Sequence, residues 1–256
     1  MLSAQGIFFS VHDKNILHDI SLRFTPGKFH AIMGQNGSGK STLLRILAGS
    51  EKASSGKVMF NDKLLHHYNE RELARQRAVL SQHYHISFPI SVHDVVMMGR
   101  YPFFKNAPSQ KDKDICKQAM QLMQVLDFAD RDYNTLSGGE AQKVMMSRVL
   151  SQVWECDESN ACILFLDEPV SHLDIRFQHQ LMQTAKAFCN KHLTVVAVLH
   201  DVNLALKYAD ELLFMKNGRL TYNILPHQLN ETILEAVFDM RVKMKQVDET
   251  LVVYTP

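Results

Sequence analysis

The sequence predicts an α/β fold in which a phosphate-binding loop joins a buried strand to a helix. Residues 34–42 fit the pattern G-x-x-x-x-G-K-[ST], which carries this meaning only between a strand and a helix. An apolar stretch, residues 29–33, precedes the loop, and a helix-like run, residues 41–48, follows it. Residues 162–166 and 194–199 are continuous apolar runs, which are typical of parallel strands buried on both faces.

The pattern changes between these apolar strands. Residues 92–99 and 111–128 have helical spacing, and β-branched runs are scarce from about residue 83 to residue 153. We therefore expect a helical insert between strands, with residues 111–128 as one helical run.

Local signals predict the remaining elements. Asn217-Gly218 is the strongest short-range signal for a hairpin turn, and Asn69 is a candidate helix N-cap. The predicted elements are strands at 8–11, 20–24 and 78–81, hairpins at 57–65 and 211–222, helices ending at 76 and spanning 230–240, and a last strand at 251–254.

The loop offers three kinds of contact to a phosphate. Its glycines let the backbone curl so that N–H groups point at phosphate oxygens, and the helix start adds a positive dipole end. Lys40 can reach the β- and γ-phosphates, and the Ser41 hydroxyl can bind Mg²⁺. The predicted phosphate-binding residues are Gly34, Gln35, Asn36, Gly37, Ser38, Gly39, Lys40, Ser41 and Thr42.

A second group of candidate residues lies where apolar strands end, which is where ligands bind to a parallel sheet. Asp167 suits a contact to Mg²⁺ through water, together with Ser41 and Gln82, and Glu168 suits polarising an attacking water. His200 follows the next apolar strand and can bond the γ-phosphate. Glu168, His200 and Gln82 are therefore the predicted catalytic residues.

A second helix start is also a candidate anion site. Residues 136–140 read Leu-Ser-Gly-Gly-Glu and precede the helical run 141–150. One nucleotide does not need two such helix starts on one chain, whereas two chains that face each other head to tail would use both.

Composition narrows the classes of function. The chain has 28 Lys and Arg against 27 Asp and Glu, so its net charge of +1 gives no indication of nucleic-acid binding. Its apolar runs are far shorter than the ~20 residues that span a bilayer. The first residues lack the basic and apolar regions of a signal peptide, so we expect a cytosolic protein that can dock on a membrane protein.

Cysteine and histidine patterns do not indicate a metal site. The four cysteines contain no C-x-x-C pair, so we expect neither a zinc site nor a disulfide framework. The tight histidine pairs, His66-His67 and His83 with His85, are interpreted as solvated loop residues.

These motifs together resemble the ATP-binding cassette (ABC) ATPases, in the order of that family, from about residue 7 to residue 225. The corresponding motifs are the Walker A loop (34–42), the Q-loop (Gln82), the signature (136–140), Walker B (163–168), the D-loop (171–174, with Asp174) and the H-switch (His200). The resemblance implies a single ABC ATPase domain over residues 1–256. Its RecA-like P-loop NTPase core and N-terminal antiparallel β-subdomain would comprise 1–82 and 154–256, and its inserted α-helical subdomain 83–153.

The resemblance also implies the partners. Two copies would form a head-to-tail homodimer that holds two ATP molecules with Mg²⁺. Ser137, Gly138, Gly139 and Glu140 of one subunit would contact the γ-phosphate bound at Lys40 of the other. ATP binding would close the dimer and hydrolysis would reopen it. Two permease subunits would receive this motion at the cytoplasmic face of the inner membrane, with a periplasmic or extracellular substrate-binding protein outside.

The subfamily is indicated by residues after the Q-loop. Residues 78–82, Phe88-Pro89, residues 92–100 and Tyr101-Pro102 look like the importers of iron-siderophores, haem and vitamin B12. Trp154 followed by a polar insert, residues 155–160, is similar to haem importers, so haem is the favoured substrate. Ferric siderophores and cobalamin remain alternatives. The region that aligns with the family's adenine-stacking aromatic residue is 10–12, and no single residue there is assigned.

Two other classes compete with the importer. A soluble ABC protein of translation or DNA repair usually carries tandem cassettes or long coiled-coil inserts, and this chain has one cassette and no sustained heptads. A P-loop GTPase would need an Asn-Lys-x-Asp motif, and residues 190–193 end in leucine instead. The signature has no role in a GTPase or a small-molecule kinase.

Overall fold

The computed structural model describes residues 2–12, 14–82, 86–158, 161–171, 173–190, 192–248 and 250–256. His83, His85, His172 of the D-loop and the end of the polar insert, 159–160, lie outside the described residues. The strands are β1 (Leu2–Val11), β2 (Lys14–Arg23), β3 (Phe29–Gly34), β4 (Ser55–Phe60), β5 (Lys63–Leu64), β6 (Arg77–Leu80), β7 (Cys162–Asp167), β8 (Leu193–Val198), β9 (Glu211–Lys216), β10 (Arg219–Ile224), β11 (Lys243–Val247) and β12 (Thr250–Tyr254). The α-helices are α1 (Lys40–Leu47), α2 (Glu70–Gln76), α3 (Val92–Met97), α4 (Gln110–Leu122), α5 (Gly138–Gln152), α6 (Ile175–Phe188), α7 (Val202–Tyr208) and α8 (Glu231–Phe238).

A six-stranded sheet forms the centre of the molecule, with the strand order β10-β9-β3-β8-β7-β6. Strands β9, β3, β8, β7 and β6 are parallel, and β10 closes the edge as the antiparallel partner of β9. The carboxyl ends of β3, β8, β7 and β6 therefore meet at one edge of the sheet. This is the arrangement that the continuous apolar runs predict.

The amino-terminal strands form a second, antiparallel sheet with the order β2-β1-β4-β5. The predicted hairpin is confirmed, because Phe60 pairs with Lys63 across a turn at Asn61 and Asp62, both of which have positive φ. The hairpin of β9 and β10 turns at Asn217-Gly218, as predicted. Strands β11 and β12 form a further hairpin. The sequence predicts the second of these strands and not the first.

Two apolar cores lie on opposite faces of the central sheet. Successive side chains of a strand point to opposite faces, and β7 shows this alternation. Leu164 and Leu166 belong to the core shared with α3, α5 and α6, whereas Ile163 and Phe165 belong to the core shared with α1 and the antiparallel sheet. Full burial of one such side chain contributes about 1.5–3 kcal/mol, so both cores hold β7 in place.

The helical segment between β6 and β7 contains α3, α4 and α5. The prediction of one helical run over 111–128 was wrong, because α4 ends at Leu122 and only a short 3₁₀ turn, Leu126–Phe128, follows. Gln124 has a φ of 57°, a left-handed conformation that cannot continue an α-helix. The boundary of this segment as a separate subdomain stays a prediction.

A disulfide joins Cys156, which follows α5, to Cys162, the first residue of β7, with their Cα atoms 5.7 Å apart. The expectation that the cysteines form no disulfide was therefore wrong for this pair. The spacing of the cysteines in the sequence does not indicate that Cys156 and Cys162 pair. The other two cysteines, Cys116 and Cys189, are free.

Within the described residues, no helix combines the length and the apolar composition needed to cross a membrane.

Candidate active site

The phosphate-binding loop leaves β3 at Gly34 and enters α1 at Lys40. A Cβ at Gly34, where φ is 145°, would lie 2.1 Å from the carbonyl oxygen of Met215. A Cβ at Gly39, where φ is 95°, would lie 2.6 Å from Leu17 Cδ2. Only glycine fits these two positions, so the curl of the loop follows directly from the predicted motif.

The start of α1 is open to an anion. No side chain caps it, and its first turn contains no acidic residue. The first N–H groups of a helix have no partner within the helix. With the positive end of the helix dipole, they form a site for a phosphate group.

Lys40 fills the centre of the loop. Its Nζ donates to the carbonyl oxygens of Gly34 and Gln35, both at 2.9 Å, and the residue is only 5% exposed. Burial lowers the pKa of the Lys40 ammonium, and the charges of Glu168 and Asp167 oppose this effect. The ammonium is therefore held where phosphate oxygens could replace the two carbonyls.

Ser41 and Asp167 meet between α1 and the end of β7. The Ser41 hydroxyl donates to Oδ1 of Asp167 at 2.9 Å. Burial raises the pKa of the Asp167 carboxyl, and the hydrogen bond from Ser41 opposes it. A hydroxyl and a carboxylate beside the phosphate loop are oxygen ligands of the kind that Mg²⁺ prefers, so these residues fit that ion.

Glu168 lies between the other two predicted catalytic residues. Gln82 Nε2 donates to Oε2 of Glu168 at 2.7 Å, and Nε2 of His200 lies 2.7 Å from Oε1. Gln82, Glu168 and His200 follow the ends of β6, β7 and β8, which are neighbours in the sheet. Glu168 itself has a φ of 50°, an uncommon conformation for this residue type. The structure thus brings together one carboxylate, one amide and one imidazole, as predicted.

These side chains line one open cavity of about 880 Å³. Its wall also contains residues that the motifs did not indicate, from β2 and from the turn between β9 and β10. They are Lys14, Asn15, Ile16, His18, Asn217 and Gly218. Residues 10–12 align with the family's adenine-stacking region, and their role stays a prediction; the residues of β2 that line the cavity begin at Lys14. No local pattern marks the residues of β2, because only the packing of the antiparallel sheet places them at the cavity.

The signature and Asp174 of the D-loop lie outside this cavity within one chain. Ser137 is exposed and caps α5, and its Oγ accepts from the N–H of Glu140 at 3.4 Å. Oε2 of Glu140 accepts from the backbone N–H and the hydroxyl of Ser137, both at 2.8 Å. Asp174 is exposed and caps α6 by accepting from the N–H of Phe177 at 3.0 Å. None of these residues lines the cavity around Lys40.

The assembled groups can perform a phosphoryl-transfer reaction with water. The uncapped helix and Lys40 can stabilise phosphate charge, and Ser41 with Asp167 can hold a divalent cation. The Glu168 carboxylate can accept a hydrogen bond from a water molecule, with Gln82 and His200 fixing its position.

Comparisons with known proteins agree with this geometry. The model of the family described as ABC transporter matches residues 17–171. A hemin import ATP-binding protein, HmuV, of Methylobacillus flagellatus is 40% identical over 242 residues, which cover 94% of this chain and 90% of the relative. The protein of the same name from Escherichia coli O157:H7 is 40% identical over 230 residues, covering 90% and 88%.

Solved structures show the same fold. An inward-facing metal-chelate type ABC transporter aligns with a TM-score of 0.80 at 24% identity, covering 99% of this chain and 95% of the other. The dimeric post-hydrolysis state of the cassette MJ0796 with ADP and Pi aligns with a TM-score of 0.76 at 22% identity, covering 90% and 100%. With a family match over more than half of its length and relatives of this identity, the chain belongs to the ABC transporter family.

Proposed function

We propose that this chain is the ATP-hydrolysing subunit of an importer that takes up haem, and that the cavity around Lys40 and Glu168 is its ATPase site. The observation that carries the proposal is the position of Glu168. Its carboxylate lies between Gln82 and His200, next to an uncapped helix start with a buried lysine. This arrangement suits water attack on a terminal phosphate.

In this proposal the residues of one chain bind ATP and prepare its hydrolysis. Lys40 exchanges the carbonyl oxygens of Gly34 and Gln35 for β- and γ-phosphate oxygens. Ser41 and Asp167, with the amide of Gln82, would hold Mg²⁺, which supplies positive charge to the phosphates when bound. Glu168 orients and polarises the attacking water, and His200 fixes the position of Glu168 and contacts the γ-phosphate.

A second copy of the chain completes the site. The signature lies outside the cavity, and a Cβ at Gly138 would meet nothing within 4 Å in this chain. Its φ is not positive either, so the fold of one chain gives no reason for glycine there. A close approach by the nucleotide of a partner does give a reason. We therefore assign Ser137, Gly138, Gly139 and Glu140 to the γ-phosphate bound by the partner, and Asp174 to the same interface.

The dimer would drive transport through two permease subunits at the cytoplasmic face of the inner membrane. A periplasmic or extracellular binding protein would deliver the substrate. Haem is proposed because relatives at about 40% identity are named for hemin import and because Trp154 with its polar insert is similar to haem importers. Trp154 packs against Phe188 of α6, with ring centroids 5.3 Å apart.

The test is the ATPase activity of this chain with its cognate permease in liposomes. The binding protein is added empty, or loaded with haem, with a ferric siderophore or with cobalamin. We expect haem alone to stimulate hydrolysis. Stimulation by another ligand would keep the importer and overturn haem. An ATPase that forms no permease complex and responds to no ligand would instead support a soluble, non-transport ABC protein.

A further inference from the structure

The carboxylate of Asp239 joins the carboxyl-terminal part of the chain to the phosphate loop. Asp239 directly follows α8 and has a left-handed φ of 55°. Its Oδ2 accepts from Nε2 of Gln35 at 3.0 Å, and its Oδ1 accepts from Nζ of Lys216 at 2.6 Å. Each carboxylate oxygen thus has its own donor. The hydrogen bond from Lys216, together with that from Gln35, lowers the pKa of the Asp239 carboxyl, so the group is ionised at neutral pH.

Asp239 is attached to a fixed part of the fold. Leu234 and Val237 of α8 are fully buried in the larger core. Lys216, the last residue of β9, also donates to the carbonyl oxygen of Ala236 at 2.5 Å. This cation therefore ties the last turn of α8 to the central sheet and holds Asp239 at the same time.

Gln35 provides one of the two carbonyl oxygens that hold Lys40 in the loop. Its carbonyl oxygen accepts from Lys40 Nζ at 2.9 Å and from the N–H of Ser38 at 3.2 Å. When Lys40 turns to a phosphate, the carbonyl loses one of these donors. The side-chain bond to Asp239 is then a remaining tether of this end of the loop. The other side of the loop is held by Gly218, whose N–H donates to the carbonyl oxygen of Ser38 at 3.2 Å.

We propose that Asp239 is a positioning residue for ATP, acting through Gln35, and that α8 is therefore part of the ATP site. Position 35 is a free position of the pattern G-x-x-x-x-G-K-[ST], so the general motif does not require the link. Asp239 also lies beyond residues 17–171, which the family model matches. The proposal depends on ATP binding alone and holds whichever molecule is transported.

A purely structural role for Asp239 makes a different prediction. Glycine is the residue that best fits a left-handed position after a helix. If Asp239 only ended α8 and paired with Lys216, Asp239→Gly would leave the affinity for ATP unchanged. If Asp239 positions Gln35, the same variant still folds but binds ATP less tightly.

The experiment compares the full-length variants Asp239→Gly, Gln35→Ala and the double variant by ATP titration and steady-state ATPase kinetics. We expect each single variant to raise KM and the Kd for ATP about three- to tenfold, with kcat nearly unchanged, the size of one hydrogen bond. The double variant should be no worse than either single one, because both remove the same link. Asp239→Asn should be close to wild type, since a flipped Gln35 amide can accept from the new amide.

The matched control is Asp248→Gly. Asp248 is another exposed aspartate with a left-handed φ, of 50°, in the turn between β11 and β12, and this change should leave KM unaltered. An unchanged KM in Asp239→Gly would overturn the proposal. So would additive losses in the double variant, because two independent contributions would then be at work.

Discussion

Two helix starts in this chain were expected to bind phosphate, and the structure makes them opposite in kind. The start of α1 has no side-chain cap and no acidic residue in its first turn. The start of α5 has a complete capping box, in which Ser137 and Glu140 satisfy each other's backbone N–H groups. The first is therefore ready for an anion, whereas the second has a carboxylate at the place where an anion would bind.

Their glycines differ in the same way. Gly39 is required by its own chain, because any Cβ there would meet Leu17. Gly138 has open space around it. The start of α1 thus explains its own glycine within one chain, whereas nothing within 4 Å in this chain explains the glycine at the start of α5.

The largest expected effect tests whether ATP hydrolysis depends on the α1 side of the site, by which we mean Lys40, Glu168 and the other residues of their cavity. Glu168→Gln keeps the hydrogen-bonding shape beside Gln82 and His200 but removes the negative charge. We expect ATP hydrolysis to fall by about 10²–10⁴-fold while ATP binding persists, because loss of a general base has this size. Single-turnover hydrolysis and ATP titration measure the two quantities. Normal turnover in this variant would remove Glu168 from its proposed role.

The second prediction tests whether α1 and α5 act across a dimer. Lys40→Ala disables the α1 side. Ser137→Arg disables the α5 side, which is the signature at the start of α5, so each variant alone should be inactive. In a mixed dimer, one site carries both defects and the other carries neither. Mixing equal amounts should therefore restore about a quarter of wild-type activity for a symmetric dimer.

The matched control for this experiment is a mixture of Lys40→Ala with Glu168→Gln. Both changes lie on the α1 side, so every site in that mixture is defective and no activity should return. Failure of Ser137→Arg to complement Lys40→Ala, with dimers still forming, would contradict a composite site.

The third prediction concerns how the two helices end. The chain leaves α1 through Gly49, a left-handed glycine whose N–H donates to Ile46. The segment after α5 is instead held by a covalent bond, because Cys156 forms a disulfide with Cys162 at the start of β7. Closing so short a loop restricts the unfolded chain, so Cys156→Ser should lower the free energy of unfolding by about 2 kcal/mol under oxidising conditions.

Denaturant unfolding with and without a thiol reductant measures this effect. Cys189→Ser is the control, because Cys189 is a free cysteine. The reductant should remove the difference between Cys156→Ser and the wild type. An equal loss of stability in both variants would show that side-chain packing, and not the disulfide, is responsible.

The contrast between the two helix starts also shows what the sequence can predict. Residues 34–42, Asp167, Glu168 and the signature are contiguous motifs, and their meaning follows from the strand or helix beside them. Gln82 and His200 required one more step, their position at the ends of predicted strands, which the apolar patterns indicated. The link from Gln35 to Asp239 spans 204 positions and depends on how α8 packs, so no local pattern could indicate it. The lining residues of β2 were not predicted for the same reason. The disulfide joins residues only six positions apart, and their spacing alone does not indicate that they pair.

The smallest expected effect concerns the carboxylate at the start of α5. The backbone N–H of Ser137 lowers the pKa of the Glu140 carboxyl, so this group is charged at neutral pH. Glu140→Gln keeps a capping box, since glutamine serves at this position as well. Removing one negative charge near a helix start should favour a partner's phosphate there, and we expect ATP-dependent dimerisation to tighten about two- to fivefold. The effect should shrink at high salt, because exposed charges are screened.

Sedimentation with ATP measures the dimerisation constant of Glu168→Gln with and without the additional Glu140→Gln change. The control is Glu140→Ala, which removes both the charge and the capping box, so that the effect of the charge can be told from the effect of the cap. Weaker dimerisation in Glu140→Gln would mean that the negative charge of Glu140 favours the closed dimer, which would contradict the contrast drawn between the two helix starts.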